Sequence, residues 1–169
     1  MKKAIVTGST GLLGMAVSKH LASMNIEVLS VGRKQLTESE IKKKFGNKIT
    51  YISLPMENIC NLNKTISKKK WEPGNDCVFY NFAWSGVNSL TDGTLQDQLN
   101  NAIYAEKAVK ASKQIGCVKF VNSGTMEETF AEQHLKDKKN TPLSSSQTNY
   151  TIAKLAARDI CIISSYLEK

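Results

Sequence analysis

The stretch Val6-Thr7-Gly8-Ser9-Thr10-Gly11-Leu12-Leu13-Gly14, VTGSTGLLG, places three glycines three residues apart, directly behind the apolar run Ala4 to Val6. That run reads as a β-strand, and Leu12, Leu13, Ala16, Val17 and Leu21 follow the spacing of one helix face. A strand, a glycine loop and a helix in immediate succession give each glycine a task. The first lets the chain turn tightly, the second lets a phosphate approach the backbone, and the third lets helix pack on strand. The exposed amides and the positive end of the helix dipole then face an anion such as a pyrophosphate. The loop predicts dinucleotide binding through Gly8, Ser9, Thr10, Gly11, Leu12, Leu13 and Gly14.

Working outward, strand-like runs rich in β-branched and aromatic residues recur at Glu27 to Val31, Ile49 to Ser53, Cys77 to Asn81 and Val118 to Asn122. Leu99, Ile103, Ala105, Ala108, Val109 and Ala111 mark another helix. Alternation of strand and helix predicts an α/β fold with a five-stranded parallel sheet covered on both faces. Between Met56 and Asp76 a weaker helix is expected, broken by the turn signal WEPGND. Glu127 to Asn149 is polar and is expected as a long mobile loop.

One domain spanning residues 1–169 is expected, since 41% apolar and 22% charged residues suffice for a core. The start MKKAIVTG is too short in apolar residues for a leader, and no run reaches membrane-spanning length, so a soluble cytoplasmic protein without membrane partners is expected. The net charge of +8 includes Lys42-Lys43-Lys44 and Lys68-Lys69-Lys70, clusters near helix ends without interleaved aromatics, which reads as solvated surface and not as a nucleic-acid patch. Cys60, Cys77, Cys117 and Cys161 lack metal or redox spacing and read as structural thiols; His20 and His134 suggest no metal site.

After the second strand, SVGRK puts Gly32 where a ribose-binding carboxylate is expected, followed by Arg33. A carboxylate would repel a 2′-phosphate, whereas an arginine can bind it through two charge-assisted hydrogen bonds. This favours NADP over NAD. Near the end, NYTIAK sets Tyr150 and Lys154 one helical turn apart if Thr151 to Tyr166 is a helix. An ammonium beside a phenol favours its ionised form, making the tyrosine a usable acid or base near neutral pH.

Taken together, TGSTGLLG, YNFAWSG, VNSGTMEE and YTIAK, in that order between the expected elements, resemble the extended branch of the short-chain dehydrogenase/reductases, the nucleotide-sugar epimerases, dehydratases and ketoreductases. The resemblance implies a Rossmann sheet of strand order 3-2-1-4-5. It implies that Ala83 lies against the nicotinamide side, that Tyr150 exchanges a proton with substrate, and that Lys154 holds the nicotinamide ribose. The third catalytic residue of the family is a Ser or Thr after the fifth strand, which leaves Ser123 and Thr125; Thr125 aligns better and is taken as catalytic, with Ser123 supporting cofactor or loop. Asn101 matches a frequent family asparagine, and Trp84 either shapes the substrate side or packs.

Members of that family carry a further region that closes over the sugar nucleotide. Its absence from this sequence makes the expected chain a Rossmann portion shortened relative to the family. Two readings follow: an NADP-dependent oxidoreductase or epimerase acting on a nucleotide-linked sugar through Thr125, Tyr150 and Lys154, or a dinucleotide-binding module without catalysis. An unpaired edge strand would favour self-association as a homodimer.

Overall fold

The computed structural model describes residues 1–69, 71–86, 93–137 and 148–167. Five strands, β1 (Lys3–Thr7), β2 (Glu27–Gly32), β3 (Ile49–Ser53), β4 (Val78–Asn81) and β5 (Lys119–Asn122), form one sheet ordered β3-β2-β1-β4-β5. Every neighbouring pair is parallel. Strand order reverses between β1 and β4, which opens a crevice at the carboxyl ends of these two strands.

Both faces of the sheet are buried, as parallel strands require. Ile5, Leu29 and Phe79 stand side by side in register and pack with Ile59, Leu62 and Ile66 and with Ala108 and Ile115 of α4 (Leu95–Ile115). Ala4, Val6 and Val28 face the other way, onto Leu21 and Ala22 of α1 (Leu12–Ser23) and Phe45 of α2 (Glu38–Phe45). Alternation along the same strands thus builds two cores. A third joins Ala102, Ala105 and Val109 of α4 to Ala157 and Cys161 of α6 (Thr148–Leu167), where small residues let the two helices approach closely.

Caps explain where the helices begin. Thr37 with Glu40 and Thr94 with Asp97 form reciprocal capping boxes at α2 and α4, and Gly116 ends α4 in the left-handed conformation. Lys42, Lys43 and Lys44 occupy the last turn of α2, where they complement the negative helix end.

Two expectations are corrected. The connection after β3 is not a single weak helix: a 3-10 helix, Met56–Asn61, leads into α3 (Leu62–Lys68). The segment Glu127 to Asn149, expected as loop, is helical through most of its first half, as α5 (Met126–Asp137). Its start was encoded: in Thr125-Met126-Glu127-Glu128 the Glu128 carboxylate accepts the Thr125 amide at 3.0 Å, while the Thr125 hydroxyl accepts the Glu127 amide at 3.4 Å. Residues 138–147 lie outside the described residues, as does Lys70. Helix α6 starts before the expected Thr151 and therefore includes Tyr150. Among the described residues no helix is long and apolar enough to cross a membrane.

Candidate active site

The glycine loop is fitted to its neighbours by the absence of side chains. Gly8 has φ +65°, and a Cβ there would come within 2.7 Å of the Phe82 carbonyl and the Ala83 amide behind β4. A Cβ on Gly14 would collide with the Gly8 carbonyl. Ser18 donates to the Gly14 carbonyl at 2.7 Å and is joined by Ser30 of β2 at 3.0 Å, so buried hydroxyls lock the start of α1 to the sheet. The first-turn amides of α1 have no intrahelical partner, and no acidic residue occupies that turn.

A cleft of ≈ 300 Å³ opens between Gly8, Thr10 and Gly11, the residues Arg33 and Lys34 after β2, and Phe82, Ala83 and Trp84 after β4. Arg33 is exposed at its rim and makes no ion pair with any described residue. Gly32 leaves room for a neighbour: a Cβ would lie 2.8 Å from the hydroxyl of Tyr51, which donates to the Lys34 carbonyl at 2.7 Å. Tyr51, which sequence reasoning missed, thus fills the space beside the absent carboxylate and pins the backbone that carries Arg33. Burial pushes its phenol pKa up.

Beneath the crevice, Thr7 Oγ1 donates to Asn81 Oδ1 at 2.6 Å, and Asn81 Nδ2 donates to Asn122 Oδ1 at 2.8 Å. This polar rung joins the ends of β1, β4 and β5, and the Ser123 amide extends it to the Asn81 carbonyl at 3.1 Å. Lys154, only 4% exposed, donates from Nζ to the Ser123 carbonyl at 3.1 Å. Its ammonium also lies 3.9 Å from the centre of the Trp84 ring and 5.7 Å from that of Tyr150. Burial lowers its pKa to about 8, partly opposed by the Glu128 carboxylate and by Cys161.

Tyr150 is half-buried, and its hydroxyl hydrogen-bonds Thr125. Three residues singled out in the sequence therefore converge from the end of β5 and the first turns of α6. The expected lowering of the phenol pKa is not what the structure produces. Burial pushes it up, the Thr125 hydrogen bond pulls it down, and the carboxylates of Glu128 and Glu127 push it up again. The physical reason is the burial of the phenol itself, which disfavours the phenolate, with the Glu128 and Glu127 carboxylates adding to it. At neutral pH the phenol accordingly keeps its proton.

Helix α4 holds the segment between the cleft and the Thr125, Tyr150 and Lys154 cluster. Asn101 Oδ1 accepts the Ser85 amide at 2.8 Å, and its Nδ2 donates to the Ser85 carbonyl at 3.0 Å. One turn earlier, the fully buried Gln98 accepts the Trp84 indole N–H at 2.8 Å and donates to the Gly86 carbonyl at 3.3 Å. Gln98 was not anticipated; its spacing from Asn101 on one helix face was the available signal.

Not all predicted loop residues reach the cleft. Ser9 is buried with its hydroxyl on the Val31 carbonyl at 3.1 Å, bracing the loop from behind, while Leu12 and Leu13 are largely exposed on the first turn of α1. Ala83 and Thr10 line the cleft; Thr125, Tyr150 and Lys154 lie beyond Trp84, outside it.

Comparison with known proteins agrees with the fold. A short-chain dehydrogenase from Streptomyces avermitilis superposes with a TM-score of 0.66 at 17% identity, covering 94% of this chain and 57% of that one. For a UDP-galactose 4-epimerase the values are 0.71 and 17%, with 98% and 52% covered. For the Bordetella bronchiseptica enzyme WbmH in complex with NAD+ they are 0.65 and 19%, with 97% and 53% covered. The chain thus spans little more than half the length of these solved chains, and at such identities the likeness is one of fold. No curated protein matches the sequence. Residues 4–166, from β1 to the last turn of α6, match the sequence profile of the NAD dependent epimerase/dehydratase family, and with the glycine loop, the sheet order and the Thr-Tyr-Lys cluster in place the chain belongs to that family.

Proposed function

We propose that this chain binds NADP in the cleft and takes part in hydride transfer to or from a carbon of a nucleotide-linked sugar, with Thr125, Tyr150 and Lys154 as the catalytic residues. The observation that carries the reading is the meeting of these three side chains beside a glycine cradle that has no room for Cβ atoms. The loop Gly8–Gly11 and the first turn of α1 would hold the pyrophosphate, Arg33 the adenosine 2′-phosphate, Ala83 the nicotinamide side, and Lys154 the nicotinamide ribose. When bound, the nicotinamide supplies or accepts the hydride.

The protein's own part is proton transfer and positioning. Tyr150, protonated at neutral pH, gives its proton to the carbonyl oxygen as the carbon is reduced and takes it back from the hydroxyl in the reverse step. Thr125 hydrogen-bonds that same oxygen and orients the phenol. Both directions are needed in an epimerase, and one suffices in a ketoreductase.

Calorimetric titration with NADPH and then NADH tests the cofactor assignment. NADPH is expected to bind roughly tenfold more tightly, about 1.4 kcal/mol, with the preference lost in Arg33→Ala. Binding of neither dinucleotide would end the reading. Oxidation of NADPH with nucleotide-linked keto sugars then compares the wild type with Tyr150→Phe, where a fall of at least ~100-fold is expected. Equal rates would favour a dinucleotide-binding module without catalysis, a reading supported by the position of Trp84 between the cleft and Lys154.

A further inference from the structure

We propose that Trp84 is a positioning residue for Lys154: its indole face holds the buried ammonium charged and in place beside the Ser123 carbonyl. This goes beyond the Thr-Tyr-Lys assignment. Only its consequence for turnover rests on the function proposed above; the hold itself does not.

The contact is close and dry. Nζ lies 3.9 Å from the ring centre, and Lys154 is 4% exposed. A cation over the face of an indole is attracted by the negative face of the ring, most strongly where water is excluded. The attraction exists only for the charged form, so it opposes the burial that drives Lys154 toward neutrality. Among the described residues, few other groups face the ammonium. Glu128 reaches it from α5 and Cys161 from α6, both favouring charge; Tyr150 shows it a ring at 5.7 Å; the Ser123 carbonyl accepts one of its hydrogens. From α4, Glu106 acts on Cys161 and is paired with Lys110.

The ring is also fixed. Its N–H is held by Gln98, which is fully buried and tied to the Gly86 carbonyl, and it makes a T-shaped contact with the Tyr150 ring at 5.8 Å and 77°. A face held at two points can define where the ammonium sits. Because Trp84 also lines the cleft, the same ring touches the space assigned to the dinucleotide and the lysine assigned to its ribose.

The test follows Lys154 directly by NMR of lysine-labelled protein, its signal assigned by loss in Lys154→Met. The wild-type midpoint is expected near pH 8. Trp84→Leu, which keeps the site apolar but removes the π face, should lower that midpoint by about one pH unit, and Trp84→Phe should restore much of the difference. An unchanged midpoint in Trp84→Leu, or an equal fall in the phenylalanine variant, overturns the proposal. If the leucine variant does not fold, the native ring reports instead: in a Trp71→Phe background, Trp84 emission should change with the Lys154 midpoint and lose that change in Lys154→Met. Flat emission overturns the hold. Titration with NADPH separates the two readings. A Lys154 midpoint that responds to Trp84→Leu in a protein that binds no NADPH supports the hold and removes the function, while NADPH binding with an unresponsive midpoint removes the hold alone.

Discussion

Gly8 to Gly14 build a site from backbone, within one strand, one turn and the start of one helix; Thr125, Tyr150 and Lys154 build theirs from side chains brought together across β5, α5 and α6. Both stand at the carboxyl end of the same sheet. The first is made by removing atoms, since a Cβ at Gly8 or Gly14 would strike backbone. The second is made by burying a charge and then compensating it with a carbonyl, an indole face and a carboxylate. Steric requirements of the first kind are absolute and local. Electrostatic requirements of the second kind are graded and shared among many groups, so substitutions in the two regions should fail differently.

Gly8→Val challenges the first half of that contrast and should have the largest effect. A branched side chain would need positive φ and would enter the backbone of Phe82 and Ala83. The left-handed conformation alone costs roughly 1–2 kcal/mol for a residue with a Cβ, and the clash adds to it. NADPH affinity is expected to fall at least ~100-fold, about 3 kcal/mol, together with a lowered melting temperature. Retained affinity in calorimetry would show that the loop is less exacting than its geometry.

Lys154→Met tests the second half, and here removal should stabilise. The folded-state pKa of Lys154 is about 8 against an ordinary 10.5, so the unfolded chain holds this proton more tightly. Stability therefore rises with pH between these two values, and below about pH 8 the burial of the charge is a standing cost. The gap corresponds to roughly 3 kcal/mol, less about 1 kcal/mol for the unpaired Ser123 carbonyl. Methionine should raise stability at pH 7 by about 1–3 kcal/mol by denaturant unfolding, with the advantage fading toward pH 10.5. A loss of stability at pH 7 would mean that indole, carbonyl and carboxylate more than offset desolvation.

The same contrast explains what the sequence disclosed. The strands, the glycine loop and the Tyr150–Lys154 spacing were legible because each is a local pattern: alternation, a glycine period, one helical turn; the strand order, which is not local, came from the family resemblance. Helix α5 was passed over because its polar composition outweighed a four-residue capping signal at Thr125 to Glu128. Tyr51 and Trp84 carried no local signature of their roles, and Gln98 only its spacing from Asn101 on α4. Tyr51 matters because β2 and β3 bring it beside Gly32, and Trp84 because α4 and α6 hold its two sides. The direction of the Tyr150 shift depends on burial, which spacing does not record.

Glu128 belongs to both kinds of construction, and separating its two parts gives the smallest expected effect. Its carboxylate caps α5 through the Thr125 amide, a local hydrogen bond, and it also favours the charged form of Lys154 while disfavouring the Tyr150 phenolate. Glu128→Gln keeps an oxygen for the Thr125 amide and discards the charge. Arg158, 3.9 Å from Glu128, retains Glu132 at 2.8 Å and Asp159 at 3.0 Å, so it is not stranded. Stability should then change by no more than ~0.5 kcal/mol, whereas Glu128→Ala, which removes the cap as well, should cost about 1 kcal/mol. The charge should show elsewhere: in the glutamine variant the midpoints of Lys154 and Tyr150 both move down by a few tenths of a pH unit, read by NMR. Should glutamine destabilise as much as alanine, the hydrogen bond would count for little beside the charge, and the division between local cap and shared electrostatics would fail at the residue where the two meet.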